Sequence, residues 1–166
     1  MYQVGQKVVY GIHGVCDILD IEVKNIDRQK IAYFVLEPLE QPGARYYIPK
    51  DNPAALSKLS PLLSRQELEA LIADCDPSGN SWIADENQRK QRYRELIGSG
   101  DRRGLVVMVH TLHMHKKKQA ELGRKFHLCD ENFLRDAEKL LCAEFSLVLN
   151  LSREETAAYL RQHFQQ

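Results

Sequence analysis

Residues 7–36 read KVVYGIHGVCDILDIEVKNIDRQKIAYFVL, and this stretch decides the fold of the first part of the chain. Short β-prone runs alternate in it with turn signals, because glycines bracket residues 11–14 and residues 25–28 have the composition of a hairpin turn. Residues 31–36 form a nearly continuous apolar run, which is typical of a strand covered on both faces. Residues 45–48 give a further short strand after a Pro-Gly turn. Four or five short strands of this kind predict a small antiparallel β-barrel.

The hydrophobic period changes after residue 49 from about two to about 3.6, which predicts helices in the rest of the chain. Two Ser-x-x-Glu capping boxes, at residues 64–67 and 152–155, mark helix starts. Asp101 and Asp130 are predicted N-caps of two longer helices. The pattern indicates about five helices, and no internal repeat or low-complexity segment interrupts them.

The chain is therefore predicted to be an α+β protein of two domains, a β-barrel over residues 1–52 and an all-α domain over residues 53–166. A length of 166 residues, with 23 basic and 23 acidic side chains, fits this division. No window holds enough uncharged apolar residues for a membrane span, and the N-terminus lacks the pattern of a signal peptide. The four cysteines form no C-x-x-C pair, so reduced thiols in a cytoplasmic protein are expected.

The zero net charge conceals a segregated distribution. Residues 86–127 carry eleven basic and four acidic side chains, whereas residues 61–85 and 128–166 are each net acidic. A basic segment of this size attracts a phosphate backbone, although Lys and Arg side chains also line ordinary solvated helix faces. On charge alone both interpretations stand.

Trp82 is the only tryptophan, and it directly follows residues 76–81, which are a loop by composition. One interpretation makes it a plug that packs back onto the helices. The other makes it an exposed apolar wedge beside a cationic surface, because such side chains can enter the minor groove at a distorted base step.

Sequence motifs for catalysis and nucleotide binding are absent, so we expect no enzyme, no cofactor and no small-molecule ligand. His110, His113 and His115 lie close together, and the first two could share a helical face and hold a metal. No carboxylate or cysteine at ligand spacing completes such a site, and Lys116–Lys118 would oppose a cation. We therefore expect no metal.

Residues 1–15, MYQVGQKVVYGIHGV, resemble the opening of the bacterial CarD/CdnL-like transcription regulators, in which an F/Y-x-V/I-G-D-x-V-V-Y-x-x-H-G pattern begins the first strand pair. Only Gln6 departs from this pattern, where the family usually has Asp. The resemblance extends over nearly the whole chain and continues at residues 33–36, 47–49, 99–101 and 130–144.

The resemblance implies a Tudor-like barrel that binds the RNA polymerase β subunit. It also implies a helical domain that contacts promoter double-stranded DNA just upstream of the −10 element, largely independently of sequence. In this family a tryptophan wedges into the minor groove at the edge of the transcription bubble and stabilises the open complex. Such proteins are non-enzymatic and act at the nucleoid, so no membrane partner is expected.

For the polymerase contact, Lys24 stands where the family has a basic polymerase-contacting residue. Tyr47 stands where a second basic residue is often found, and Arg45 lies two positions earlier on the same strand face. Pro49 ends the same strand. We expect Lys24, Arg45, Tyr47 and Pro49 to bind the polymerase.

For the DNA contact, Trp82 is the only candidate wedge, although it lies about one helical turn further from Ser99 than the tryptophan of better-known members. The remaining candidates are basic side chains of the net-basic segment, namely Arg89, Lys90, Arg92, Arg94, Lys116, Lys117, Lys118, Arg124 and Lys125. An alternative is a protein-interaction adaptor that uses the barrel without binding DNA, which the displaced Trp82 and the acidic flanking segments favour. The sequence does not determine the target promoters, whether the protein activates or represses, or its oligomeric state.

Overall fold

The computed structural model describes residues 1–75 and 82–164, and the chain divides into two compact units, Met1–Leu62 and Leu63–Gln166. The first unit is an antiparallel sheet and the second is helical, which confirms the predicted α+β class.

The first unit is a five-stranded antiparallel sheet in the order β4-β3-β2-β1-β5. Its strands are β1 (Lys7–Tyr10), β2 (Val15–Ile26), β3 (Gln29–Pro38), β4 (Tyr46–Pro49) and β5 (Leu59–Pro61). A short 3-10 turn (Gly11–His13) joins β1 to β2, and a one-turn helix α1 (Pro53–Leu56) lies between β4 and β5.

The long β2–β3 hairpin closes at a two-residue turn, as residues 25–28 predict. Ile26 pairs with Gln29, so Asp27 and Arg28 are the central residues, and both have positive φ, at 49° and 65°. Positive φ at both central positions is the signature of a type I′ turn, whose twist matches that of the flanking strands.

One face of this sheet forms the core of the first unit. Phe34 and Leu36 on β3 belong to this core, and Ile48 of β4 lies opposite Phe34. Residues from the other strands complete this core, namely Val8, Cys16, Ile18 and Leu59.

The first unit extends beyond the predicted boundary at residue 52, to Leu62. The reason is β5, in which Leu59 pairs with Tyr10 and Pro61 pairs with Val8. The side chain of Leu59 is buried in the core. The sequence assigned this stretch to the inter-domain connection, because a three-residue strand ending in proline has no periodic pattern.

The second unit contains five helices in the residues that the structure describes. They are α2 (Arg65–Ala73), α3 (Glu86–Ser99), α4 (Arg102–Glu121), α5 (Leu128–Leu149) and α6 (Arg153–Phe164). They enclose one apolar core with Leu68, Val109, Leu112, Ala137 and Phe145 at its centre. The predicted loop at residues 76–81 lies outside the described residues.

Helix caps largely follow the local sequence. Ser64 and Glu67 exchange hydrogen bonds in a capping box, and the carboxylate of Asp101 accepts from the Gly104 amide. Residues 152–155 form the second capping box. The predicted cap at Asp130 is wrong, because α5 already begins at Leu128 and Asp130 lies buried in its first turn.

No helix within residues 1–75 and 82–164 is long and apolar enough to cross a membrane. All four cysteines are free thiols. Burial raises the pKa of Cys16 and of Cys142 to about 11, so both thiols stay protonated near neutral pH.

Candidate functional sites

The first candidate site is the sheet face opposite the core of the first unit. Lys24 on β2, Tyr33 on β3 and Tyr47 and Pro49 on β4 share this face, because residues two apart on a strand, and residues paired across strands, point to the same side. We call these four residues the aromatic sheet face. Tyr33 is not among the residues predicted from the sequence to bind polymerase. The alternation of residues along a strand does predict that it shares a face with Ile31 and Val35.

Contacts within the aromatic sheet face bring together residues that are distant in sequence. The Lys24 ammonium lies 3.5 Å from the centroid of the Tyr47 ring, in cation–π geometry. The Tyr33 ring meets Tyr47 edge-on at a centroid distance of 6.4 Å. Tyr47 remains 39% exposed, so an aromatic side chain with a fixed position is presented to solvent.

Arg45 is the fourth residue predicted to bind polymerase, and it lies just before β4 rather than within it. Its guanidinium forms an ion pair with Glu37 of β3 and also donates to the Ala44 carbonyl at 3.1 Å. Glu37 therefore reduces the positive charge that Arg45 offers to a partner.

The second candidate site surrounds Trp82 in the helical unit. The indole is partly buried against the helical core and stacks on the His115 ring, with centroids 3.6 Å apart and planes 10° apart. The Arg89 guanidinium carbon lies 4.4 Å from the indole centroid. In this pose Trp82 packs onto the helices, as the plug interpretation predicts, and it keeps a partly exposed surface.

Arg89 is not the exposed phosphate-binding residue that its place in the basic segment suggested. It is 5% exposed, and Asp130 binds it through two hydrogen bonds, Nε to Oδ1 at 3.0 Å and Nη2 to Oδ2 at 3.1 Å. Asp130 is itself 1% exposed. A buried guanidinium with a bidentate carboxylate has a structural role, so Arg89 leaves the set of exposed DNA-binding candidates.

The other basic candidates lie at the surface of the helical unit with differing partners. On α3, Lys90 pairs with Glu86 at 2.8 Å, Arg92 lies 3.9 Å from Glu95, and Arg94 is exposed. We call Lys116, Lys117, Lys118, Arg124 and Lys125 the α4–α5 basic segment.

Within the α4–α5 basic segment only Lys116 forms an ion pair with a residue that the structure describes, to Glu131 at 3.0 Å. The other four members are exposed. The segment begins directly after His115, and Lys118 interacts electrostatically with the imidazole on which Trp82 stacks. At least one cation of this segment therefore lies near the Trp82 site, and exposed cations attract a phosphate backbone.

His115 is noted in the sequence only as one of three clustered histidines, and its contact with Trp82, 33 positions earlier, is not predicted by any local pattern. Its Nε2 lies 3.0 Å from the Gln119 amide nitrogen. Burial lowers the pKa of His115 below its ordinary value of 6.5, and Arg89 acts in the same direction while Asp130 opposes it. The imidazole that stacks on Trp82 is therefore neutral at pH 7.

The three clustered histidines have separate environments. His110 is buried with its Nδ1 3.5 Å from the Cys75 sulfur, His113 contacts Glu138, and His115 stacks on Trp82. Among residues 1–75 and 82–164, no group of three or more His, Cys, Asp or Glu side chains is placed to hold a metal ion.

Comparison with known families agrees with the architecture of the first unit. Residues 2–60 match the CarD-like/TRCF RID domain, and this range covers almost all of the unit that ends at Leu62. No curated protein matches the chain. The helical unit lies outside the family match. The N-terminal unit of this chain is thus similar, over residues 2–60, to the CarD-like/TRCF RID domain.

Proposed function

We propose that this protein is a non-enzymatic bacterial transcription regulator that binds the RNA polymerase β subunit and promoter DNA just upstream of the −10 element. In this proposal the first unit provides the polymerase contact and the helical unit provides the DNA contact. Together they stabilise the open complex and keep the protein at the nucleoid.

The observation that carries the polymerase contact is the family match of residues 2–60. The aromatic sheet face supports it further, because Tyr47 is an exposed aromatic residue held by Lys24 and Tyr33. Tyrosine is among the residue types that dominate the binding energy of protein interfaces.

The DNA contact is supported by the charge and aromatic character around Trp82. The exposed cations of the α4–α5 basic segment would bind phosphates without reading the base sequence. The indole beside them would then recognise a deformed minor groove rather than particular bases.

The two contacts support each other because one chain carries both. Binding of the first unit to polymerase turns DNA binding by the second into an intramolecular event at high effective concentration. Each contact alone can therefore be weak, and the acidic segments on either side of the basic one would limit DNA binding away from polymerase.

Footprinting of promoter complexes tests this proposal. The full-length protein should extend protection upstream of the −10 element when polymerase holoenzyme is present, and it should bind the same duplex poorly alone. Co-purification of the full-length protein with isolated β subunit tests the first contact separately. Absence of added upstream protection, despite retained β-subunit binding, would overturn the DNA part.

A second candidate function is a protein-interaction adaptor that uses the sheet unit without binding DNA. The observations that favour it are the packed pose of Trp82, which leaves the indole only partly exposed, and the burial of Arg89, which removes a predicted DNA contact from the surface. The discriminating variant combines Trp82→Ala with Lys117→Glu and Lys118→Glu. If open-complex lifetime is unchanged while polymerase binding persists, the adaptor function is correct.

A further inference from the structure

Arg89 holds both the ring of Trp82 and the backbone that follows it. Its guanidinium carbon lies 4.4 Å from the indole centroid. Its Nη1 donates to the Ile83 carbonyl at 3.0 Å and lies 3.5 Å from the Ala84 carbonyl. One side chain therefore contacts Trp82 and two of the three residues that connect it to α3.

Asp130 in turn fixes Arg89. The carboxylate uses both of its oxygens, at 3.0 and 3.1 Å, and engages Nε and Nη2, which leaves Nη1 for the Ile83 and Ala84 carbonyls. A planar guanidinium bound at two edges has little rotational freedom, unlike a lysine ammonium on its flexible stem. The orientation of the guanidinium over the indole therefore depends on a residue of α5.

His115 supplies the stacking surface for the indole. It comes from the C-terminal half of α4, and its ring is nearly parallel to the indole at 3.6 Å. Trp82 is thus held by one residue each from α3 and α4, and indirectly by α5. We call Trp82, Arg89, His115 and Asp130 the Trp82 cluster.

We propose that Arg89 and Asp130 are positioning residues for Trp82, whose buried ion pair sets the pose in which the indole is presented beside the α4–α5 basic segment. This inference rests on the proposed function, in which Trp82 meets the minor groove. A preorganised indole lowers the ordering cost of that contact, because the rotamer is already selected before DNA arrives.

The test uses fluorescence of the full-length protein, because Trp82 is its only tryptophan and all indole emission comes from this position. The informative variant is Arg89→Met combined with Asp130→Leu, since apolar residues of similar volume can replace a buried ion pair without unfolding the protein. We expect the acrylamide quenching constant to rise about twofold to fivefold, as for the loss of a cation–π contact at a partly exposed site.

A matched control is available in the same unit. Arg102 and Glu144 form another largely buried ion pair, at 2.7 Å, between α4 and α5. Arg102→Met combined with Glu144→Gln should leave quenching of Trp82 unchanged, because the ring contacts of the indole with described residues are to Arg89 and His115. A quenching constant of the Arg89 and Asp130 double variant equal to that of the wild type, with native helical ellipticity, would overturn the positioning role.

A conservative variant keeps the test decisive if the double variant fails to fold. Arg89→Lys retains the charge opposite Asp130 but lacks the planar fork, so it cannot hold the Ile83 carbonyl and cover the indole together. We expect this variant to be folded and more strongly quenched by acrylamide. Unchanged quenching of the folded Lys variant contradicts the proposal.

Upstream protection of promoter DNA by the same variants separates this inference from the proposed function. If Trp82→Ala has no effect on protection, the DNA function fails, whereas quenching still decides the positioning role. If Trp82→Ala weakens protection and the folded Arg89 and Asp130 double variant protects like the wild type, the function stands and the positioning role is rejected.

Discussion

Arg89 and Asp130 connect the first turn of α3 to the first turn of α5 through two parallel hydrogen bonds in a site that is almost closed to solvent. Removing one member of such a pair leaves a buried charge without a counter-ion. We therefore expect Asp130→Ala to lower the free energy of unfolding by about 3–5 kcal/mol.

Urea unfolding followed by far-UV ellipticity measures this cost. Glu69→Ala is the control, because it removes an ion pair to Arg65 that is exposed on α2, and such pairs contribute little. A cost for Asp130→Ala no larger than that of the control would show that the guanidinium finds water or another partner when Asp130 is lost.

The stack of Trp82 on His115 predicts pH-dependent fluorescence. Burial lowers the pKa of His115 below 6.5, and the charged neighbours are Asp130, which raises it, and Arg89, Lys118 and His127, which lower it. Because a protonated imidazole quenches a stacked indole, emission should fall on acidification with a midpoint below the ordinary histidine pKa. His115→Phe should abolish this transition while it retains a stacked ring.

The same lowered pKa of His115 makes the free energy of unfolding depend on pH. Between the folded pKa of His115 and 6.5, the folded state binds fewer protons than the unfolded state. The contribution of His115 to the free energy of unfolding is therefore fully present above pH 6.5. That contribution is lost as the pH falls through this window. The urea midpoint of the wild type should therefore fall relative to that of His115→Phe as the pH is lowered below 6.5. Parallel pH profiles of the two midpoints would contradict this.

The contact between Lys24 and Tyr47 predicts which variants lose polymerase. We expect Tyr47→Ala to weaken binding to the β subunit by about tenfold, as for an interface aromatic anchor, without unfolding the sheet, because the ring is not part of the core. Lys58→Ala is the control, since it removes an exposed cation of the same unit between α1 and β5. Equal affinities of both variants would exclude the aromatic sheet face as the contact.

The exposed cations of α4 predict the salt dependence of promoter binding. Replacing both Lys117 and Lys118 by alanine should reduce the slope of log K against log salt concentration by about two, because each phosphate contact contributes about one. Anisotropy of labelled promoter DNA in the presence of holoenzyme measures this slope. Lys139→Ala, on the exposed part of α5, should leave the slope unchanged.

Local chemistry explains which elements were predicted correctly. The β2–β3 turn, the capping boxes and the cap at Asp101 depend on a few neighbouring residues, and all of them occur as expected. By contrast, β5 exists because its three residues pair with β1, some fifty positions earlier, and no local pattern records that pairing.

The candidate sites differ from the sequence prediction for the same reason. Charge counting treats every arginine as exposed, yet Arg89 is neutralised by an aspartate 41 positions away. Aspartate is a residue type that favours N-caps, but the carboxylate of Asp130 accepts hydrogen bonds from Arg89 of α3 instead. Trp82 was identified from its rarity, whereas its stacking partner His115 could be found only from the tertiary structure.

The pairing of β5 with β1 bears on how the sheet unit could be isolated. A fragment that stops at residue 52 lacks Leu59–Pro61, so the amides and carbonyls of Val8–Tyr10 would become a bare strand edge. Bare edges of this kind recruit strands from other molecules, so such a fragment should self-associate and precipitate. A fragment that ends at Leu62 retains its own edge strand and should stay monodisperse in sedimentation.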